Sequence, residues 1–125
     1  MVDSLTIEPV RLVLAGLWVA LMLTYLLGDV LRIFAGDFTP GQMDGEPAAP
    51  WMWTLAAGVM LVPIVMVVAS LLVPYPAIRW TTIVLSVGLV LFNIAGLPYD
   101  GLYDNILIIV GFIWNAMLVW FAWSW

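Results

Sequence analysis

The amino-acid sequence predicts an all-α integral membrane protein: one domain, residues 1–125, folded as an antiparallel four-helix bundle running up-down-up-down. Three observations carry this prediction. Four long stretches, Leu12–Gly28, Trp51–Ile78, Trp80–Tyr99 and Asn105–Trp125, contain no charged side chain. A charge at the bilayer centre costs about 2.5–3.5 kcal/mol on insertion scales, whereas Leu, Ile, Val and Phe insert favourably, so stretches of this length read as membrane spans. The chain is 66% hydrophobic and 9% charged, with a mean hydropathy of +1.16, which is more apolar surface than 125 folded residues can hide from water. Aromatic side chains also gather where span ends would meet the two membrane surfaces. Trp51, Trp53, Tyr99 and Tyr103 fall at one surface, and Tyr75, Trp80, Trp120, Trp123 and Trp125 at the other. Trp18 and Trp114 lie deeper.

The first span is expected over about 10–34. Asp3 and Glu8 precede it with only Arg11 for positive charge, unlike the cationic start of a cleaved signal, so the span is expected to stay. Along it Arg11, Trp18, Tyr25 and Arg32 recur every seven residues, and Ala15, Met22 and Asp29 share their face, so this stripe should point inward. Residues 35–50 follow. Gly36, Pro40, Gly41, Gly45, Pro47 and Pro50 there are expected to break any helix or strand, leaving an irregular external loop.

The second span is expected over 51–73, with Pro63 near its middle removing one helix hydrogen bond, kinking the helix and freeing a carbonyl. Pro74 and Pro76 shape a tight turn into the third span, 78–97, on which Arg79, Thr82, Ser86 and Asn93 share a face. Pro98 and Gly101 shape the next turn, and the fourth span, 103–124, aligns Asp104, Gly111, Asn115 and Ala122. Such short connections predict that sequential spans are antiparallel neighbours.

An even number of spans puts both termini on one side. That side holds Arg11 and Arg79 while the other holds only Arg32, so positive-inside counting favours cytoplasmic termini, with dual topology as the alternative. Asp29, Asp37, Asp44, Glu46, Asp100 and Asp104 all fall on the far side.

Polar residues within spans are costly unless they face protein or water, so they are the best guide to function. Tyr25, Asp29 and Arg32 stand one turn apart at the outer end of the first span, where Asp29 can pair with Arg32 and Tyr25 can donate to the carboxylate. With Asn93, Asp104 and Asn115 they form a candidate polar pocket. The competing reading is structural: Ser, Thr and Asn bond helix to helix, and Gly16, Ala20, Gly58, Gly88 and Gly111 permit close packing without any ligand.

Catalysis is not expected. Histidine and cysteine are both absent, which removes the usual general base, thiolate chemistry, haem ligation and the commonest metal ligands, so no cofactor and no metal site is expected. The middle of the first span, Gly16-Leu17-Trp18-Val19-Ala20-Leu21-Met22, lacks the carboxylate on which small four-span proton-coupled exporters depend. Two functions remain: a small-molecule or ion binding or permeation protein working as an oligomer, or a non-catalytic accessory subunit of a larger membrane complex. The expected partners are membrane lipid and either further copies of the chain or another membrane protein, not nucleic acid.

Several local strings also resemble a known family. They are Tyr25 with Asp29-Val30-Leu31, then Ile64 and Met66 after Pro63 with Ala69-Ser70, then Arg79-Trp80, and the terminal Ala122-Trp123-Ser124-Trp125. Together they resemble a family of small prokaryotic four-span proteins known as a domain of unknown function, similar to DoxX-like membrane proteins in general shape. The resemblance implies four helices in a prokaryotic cytoplasmic membrane and supplies no activity.

Overall fold

The computed structural model describes residues 6–43, 45–97 and 101–125. Asp44, Pro98, Tyr99 and Asp100, which enter the charge, turn and aromatic arguments above, lie outside the described residues. The described residues are all-α apart from one small hairpin, with helices α1 (Pro9–Phe34), α2 (Pro50–Leu72), α3 (Ala77–Ala95) and α4 (Leu102–Trp123). Each helix is long and apolar enough to cross a membrane.

Local chemistry sets the helix ends. Pro9 and Pro50 open α1 and α2, where a missing N–H costs nothing because the first amides of a helix have no intrahelical partner. At the end of α1 the Gly36 amide donates to the Ile33 carbonyl at 3.1 Å and the Asp37 amide to the Arg32 carbonyl at 3.0 Å. Gly36 has φ +79°, so these two bonds close the helix as a Schellman motif around a left-handed glycine. α3 stops at Ala95, short of the end of its charge-free run, because Gly96 and the residue before Pro98 both disfavour helix.

The segment between α1 and α2 is more ordered than its composition suggests. β1 (Gln42–Met43) pairs antiparallel with β2 (Glu46–Pro47), Gln42 opposite Pro47 and Met43 opposite Glu46. The expectation that glycine and proline would exclude strand is therefore corrected. Gly45, at φ +81°, supplies the left-handed backbone a tight hairpin needs, and Pro47 is tolerated because a two-stranded ribbon is all edge.

α1 and α4 are the two inner helices. α1 packs along both α2 and α4, and α4 packs along α3, whereas α2 and α3 barely meet although only a few residues join them. Not every sequential pair is a packed pair, contrary to expectation, because α2 and α3 each bury their inward face on α1 or α4. The core comprises Leu14, Leu17, Trp18 and Leu21 of α1, Met66 of α2, Ile78 and Leu89 of α3, and Leu118 and Ala122 of α4. Pro63 is buried within α2, which continues past it to Leu72.

Small residues divide into two groups. Gly111 is buried, and a Cβ there would touch the Tyr25 ring at 3.6 Å. Gly16, Gly58 and Gly88 have nothing within 4 Å of a Cβ position, so they face outward and do not serve close packing inside this chain.

Candidate functional site

Polar side chains occupy three levels along the helices. At the end where α1 begins and α4 finishes, Arg11 donates from Nη1 to the carbonyls of Val73 at 2.6 Å and Ser70 at 3.2 Å, while its Nε pairs with Glu8 at 3.2 Å. Its guanidinium lies over the Trp125 ring, whose Nε1 in turn donates to Glu8 at 3.1 Å. Arg79 does the same for another helix, donating to the carbonyls of Ala122 at 3.1 Å and Trp123 at 2.9 Å and lying over the Trp80 and Trp123 rings. Each arginine thus caps the C-terminus of a neighbouring helix, satisfying carbonyls that have no intrahelical donor and placing positive charge at the negative end of the dipole.

The middle level is a helix–helix clasp. Ser86 of α3 donates from Oγ to Oδ1 of Asn115 on α4 at 2.8 Å, and Asn115 Nδ2 donates to the Gly111 carbonyl at 3.0 Å. Both side chains are fully buried. Trp114 Nε1 donates to Thr24 Oγ1 at 3.1 Å, tying α4 to α1. Trp18 Nε1 and Thr82 Oγ1 are buried without a hydrogen-bond partner among the described residues.

The third level is a cavity of about 170 Å³ near the end bearing the hairpin, where α2 and α3 leave a gap. All four helices line it. α1 contributes Thr24, Tyr25, Gly28, Asp29 and Arg32; α2 contributes Val59 and Met60; α3 contributes Leu89, Phe92 and Asn93; α4 contributes Asp104, Leu107 and Ile108. Arg32 joins its two carboxylates, with Nη2 2.7 Å from Asp29 Oδ1 and Nε 3.4 Å from Asp104 Oδ2. Deeper, Asn93 Nδ2 donates to the Tyr25 hydroxyl at 2.9 Å and to the Leu89 carbonyl at 2.9 Å. At about 30 Å³ per water the cavity has room for roughly five waters, or for one molecule about the size of benzene.

The rim is braced from the loop. Tyr103 donates from its hydroxyl to Asp37 Oδ2 at 2.5 Å, joining the start of α4 to the Schellman turn that closes α1. Its ring lies across Gly101, where any Cβ would collide with it. A side chain at 101 would therefore have to move the Tyr103 ring from this position.

Five of the six sequence-derived candidates, Tyr25, Asp29, Arg32, Asn93 and Asp104, line this one cavity. Asn115 does not. It shares the inward face of α4 with Asp104 but lies about 16 Å further along the helix at roughly 1.5 Å per residue, which is the level of the Ser86 clasp. Asp29 pairs with Arg32 as expected, whereas no described hydrogen bond joins Tyr25 to Asp29 and the Tyr25 hydroxyl accepts from Asn93 of α3. Sequence reasoning missed Thr24, Gly28 and the apolar wall, since no polar signal marks Val59, Met60 or Phe92. Among the described residues, no group of three or more Asp or Glu converges as a metal site. No family model, no curated protein and no solved structure matches this chain.

Proposed function

We propose that this protein is a multi-pass protein of a prokaryotic cytoplasmic membrane, an antiparallel four-helix bundle that binds a small polar molecule or ion in the cavity at its hairpin end. On this reading both termini face the cytoplasm, the cavity opens on the opposite side, and the chain works as an oligomer without catalysing a reaction. It belongs, in this proposal, with the small four-span proteins of DoxX-like shape that its local strings resemble.

One observation carries the reading. Residues from all four helices, charged at one end and bonded through Tyr25 and Asn93 at the other, enclose a single cavity of about 170 Å³. Buried polar groups are expensive in lipid, and groups meant only as glue can satisfy one another directly, as Ser86 and Asn115 do. The polar groups here, although Asp29 bonds Arg32 and Asn93 bonds Tyr25, also line open space, which is what a ligand site needs.

Exposed apolar side chains such as Leu23, Leu61, Val84 and Ile113, together with the outward Gly16, Gly58 and Gly88, support oligomer formation and equally the alternative of an accessory subunit docked on another membrane protein. The test is thermal denaturation of the purified chain in nanodiscs with a panel of solutes of up to about ten heavy atoms. The proposal expects concentration-dependent stabilisation by at least one solute, lost in Phe92→Trp, which fills the gap. No stabilisation by any solute, with the wild type found only in complex with a second protein, would put the accessory reading in its place.

A further inference from the structure

We infer that the ligand of this cavity is a small organic monocation, an ammonium group carried on an apolar body. The inference rests on the proposed binding role of the cavity and adds the chemical class. Among the described lining residues there are two carboxylates, Asp29 and Asp104, and one guanidinium, Arg32, which leaves one negative charge uncompensated at the polar end.

The two acids differ in what they offer. Asp29 is half-exposed and bonds Arg32 at 2.7 Å, whereas the Asp104 side chain is only 9% exposed and meets Arg32 at 3.4 Å through Oδ2. No hydrogen bond to Asp104 Oδ1 is made by the described residues. That oxygen lies 3.9 Å from the Cβ position of Gly28, and both residues line the cavity. A carboxylate oxygen with no protein donor can accept from a bound molecule, and an ammonium N–H supplies both the hydrogen bond and the missing charge.

The remaining wall suits the other end of such a molecule. Val59, Met60, Leu89, Phe92, Leu107 and Ile108 form an apolar surface, and Tyr25 and Phe92 add aromatic rings, whose faces attract cations, to the lining. An anion would meet two carboxylates and a guanidinium already bound to both. A divalent cation would need more oxygen ligands than Asp29 and Asp104 supply.

The experiment compares three probes with one apolar body and different charge: benzylammonium, benzyl alcohol and benzoate. Each is titrated into the full chain in nanodiscs by calorimetry at neutral pH. Benzylammonium is expected to bind at least tenfold more tightly than benzyl alcohol, with benzoate weaker still. Asp104→Asn should cut the benzylammonium affinity about tenfold, equivalent to about 1.4 kcal/mol, and change that of benzyl alcohol by less than about twofold.

Asp29→Asn, at the half-exposed position, should give the same pattern with a smaller loss and serves where Asp104→Asn does not fold. Benzoate binding as tightly as benzylammonium, or benzylammonium binding indifferent to both substitutions, would overturn the charge assignment and leave the cavity reading standing. Failure of all three probes to bind would overturn both.

Discussion

Gly28→Ala separates stability from binding at a single atom. Gly28 is buried in α1 on the cavity wall, and its added Cβ would lie 3.5 Å from Arg32 Nη2, 3.7 Å from Leu107 Cδ1 and 3.9 Å from Asp104 Oδ1. All three are ordinary van der Waals separations, so the methyl enters without displacing anything. Alanine is better than glycine inside a helix by about 1 kcal/mol, which for a chain of this size corresponds to a melting point about 4 °C higher. The methyl also takes up roughly the volume of one water, about 30 Å³, out of a cavity of about 170 Å³, beside the carboxylate argued to hold the ligand. The substitution should therefore stabilise the protein and weaken ligand binding together. Thermal melts and calorimetric titration of the same nanodisc sample measure both. A variant that melts higher yet binds as tightly as wild type would refute the placement of the ligand at Gly28, and one that melts several degrees lower would refute the packing argument.

The other expectations concern residues outside the cavity. Arg11→Met should destabilise the chain by about 3 kcal/mol in detergent melts, because it removes charge-assisted bonds to two carbonyls at the end of α2, whereas Glu8→Gln, with its side chain 47% exposed, should shift the melting point little. Asn115→Leu should cost about 0.6–2 kcal/mol in the same melts and leave probe affinity unchanged, since Asn115 clasps Ser86 and does not line the cavity; loss of binding at full stability would return it to the site. Thr82→Val, which replaces a fully buried hydroxyl that has no partner among the described residues with a methyl of the same shape, should raise stability by about 1 kcal/mol, and a fall would show that the hydroxyl is bonded.

The parts of this arrangement that depend on one helix at a time are legible in the sequence. Charge-free runs mark the four helices, and seven-residue spacing puts Tyr25 and Arg32 on one face of α1, where Asp29 pairs with Arg32 as i,i+3 geometry allows. The spacing puts Asp104 and Asn115 on the same face of α4, and both are buried there. Depth is what periodicity does not carry. The rise along the helix separates Asp104 from Asn115, and only the neighbour that each meets, Arg32 in one case and Ser86 in the other, gives them different roles.

Long-range pairings were equally hidden. In the sequence Arg11 and Arg79 mark a membrane side, yet in the fold each directs its donors to the last carbonyls of another helix. The uniform apolarity of α2 conceals which of its residues face the gap, so Val59 and Met60 could not be chosen from among their neighbours. Glycine misleads in both directions: Gly111 packs against Tyr25, Gly16 and Gly58 face outward, and Gly45 builds a hairpin where a structureless loop was expected.

The central claim is that the gap between α2 and α3 at the hairpin end is a ligand site, and locating a heavy-atom probe tests it most directly. Crystals grown from a lipidic phase with 4-bromobenzylammonium or 4-bromobenzyl alcohol report the bromine position by anomalous scattering. The account predicts one dominant bromine peak inside the cavity, in contact with Phe92 and Met60 and on the far side of Tyr25 from Asn115. Bromine confined to the outer apolar surface, with the cavity empty for both probes, would contradict it.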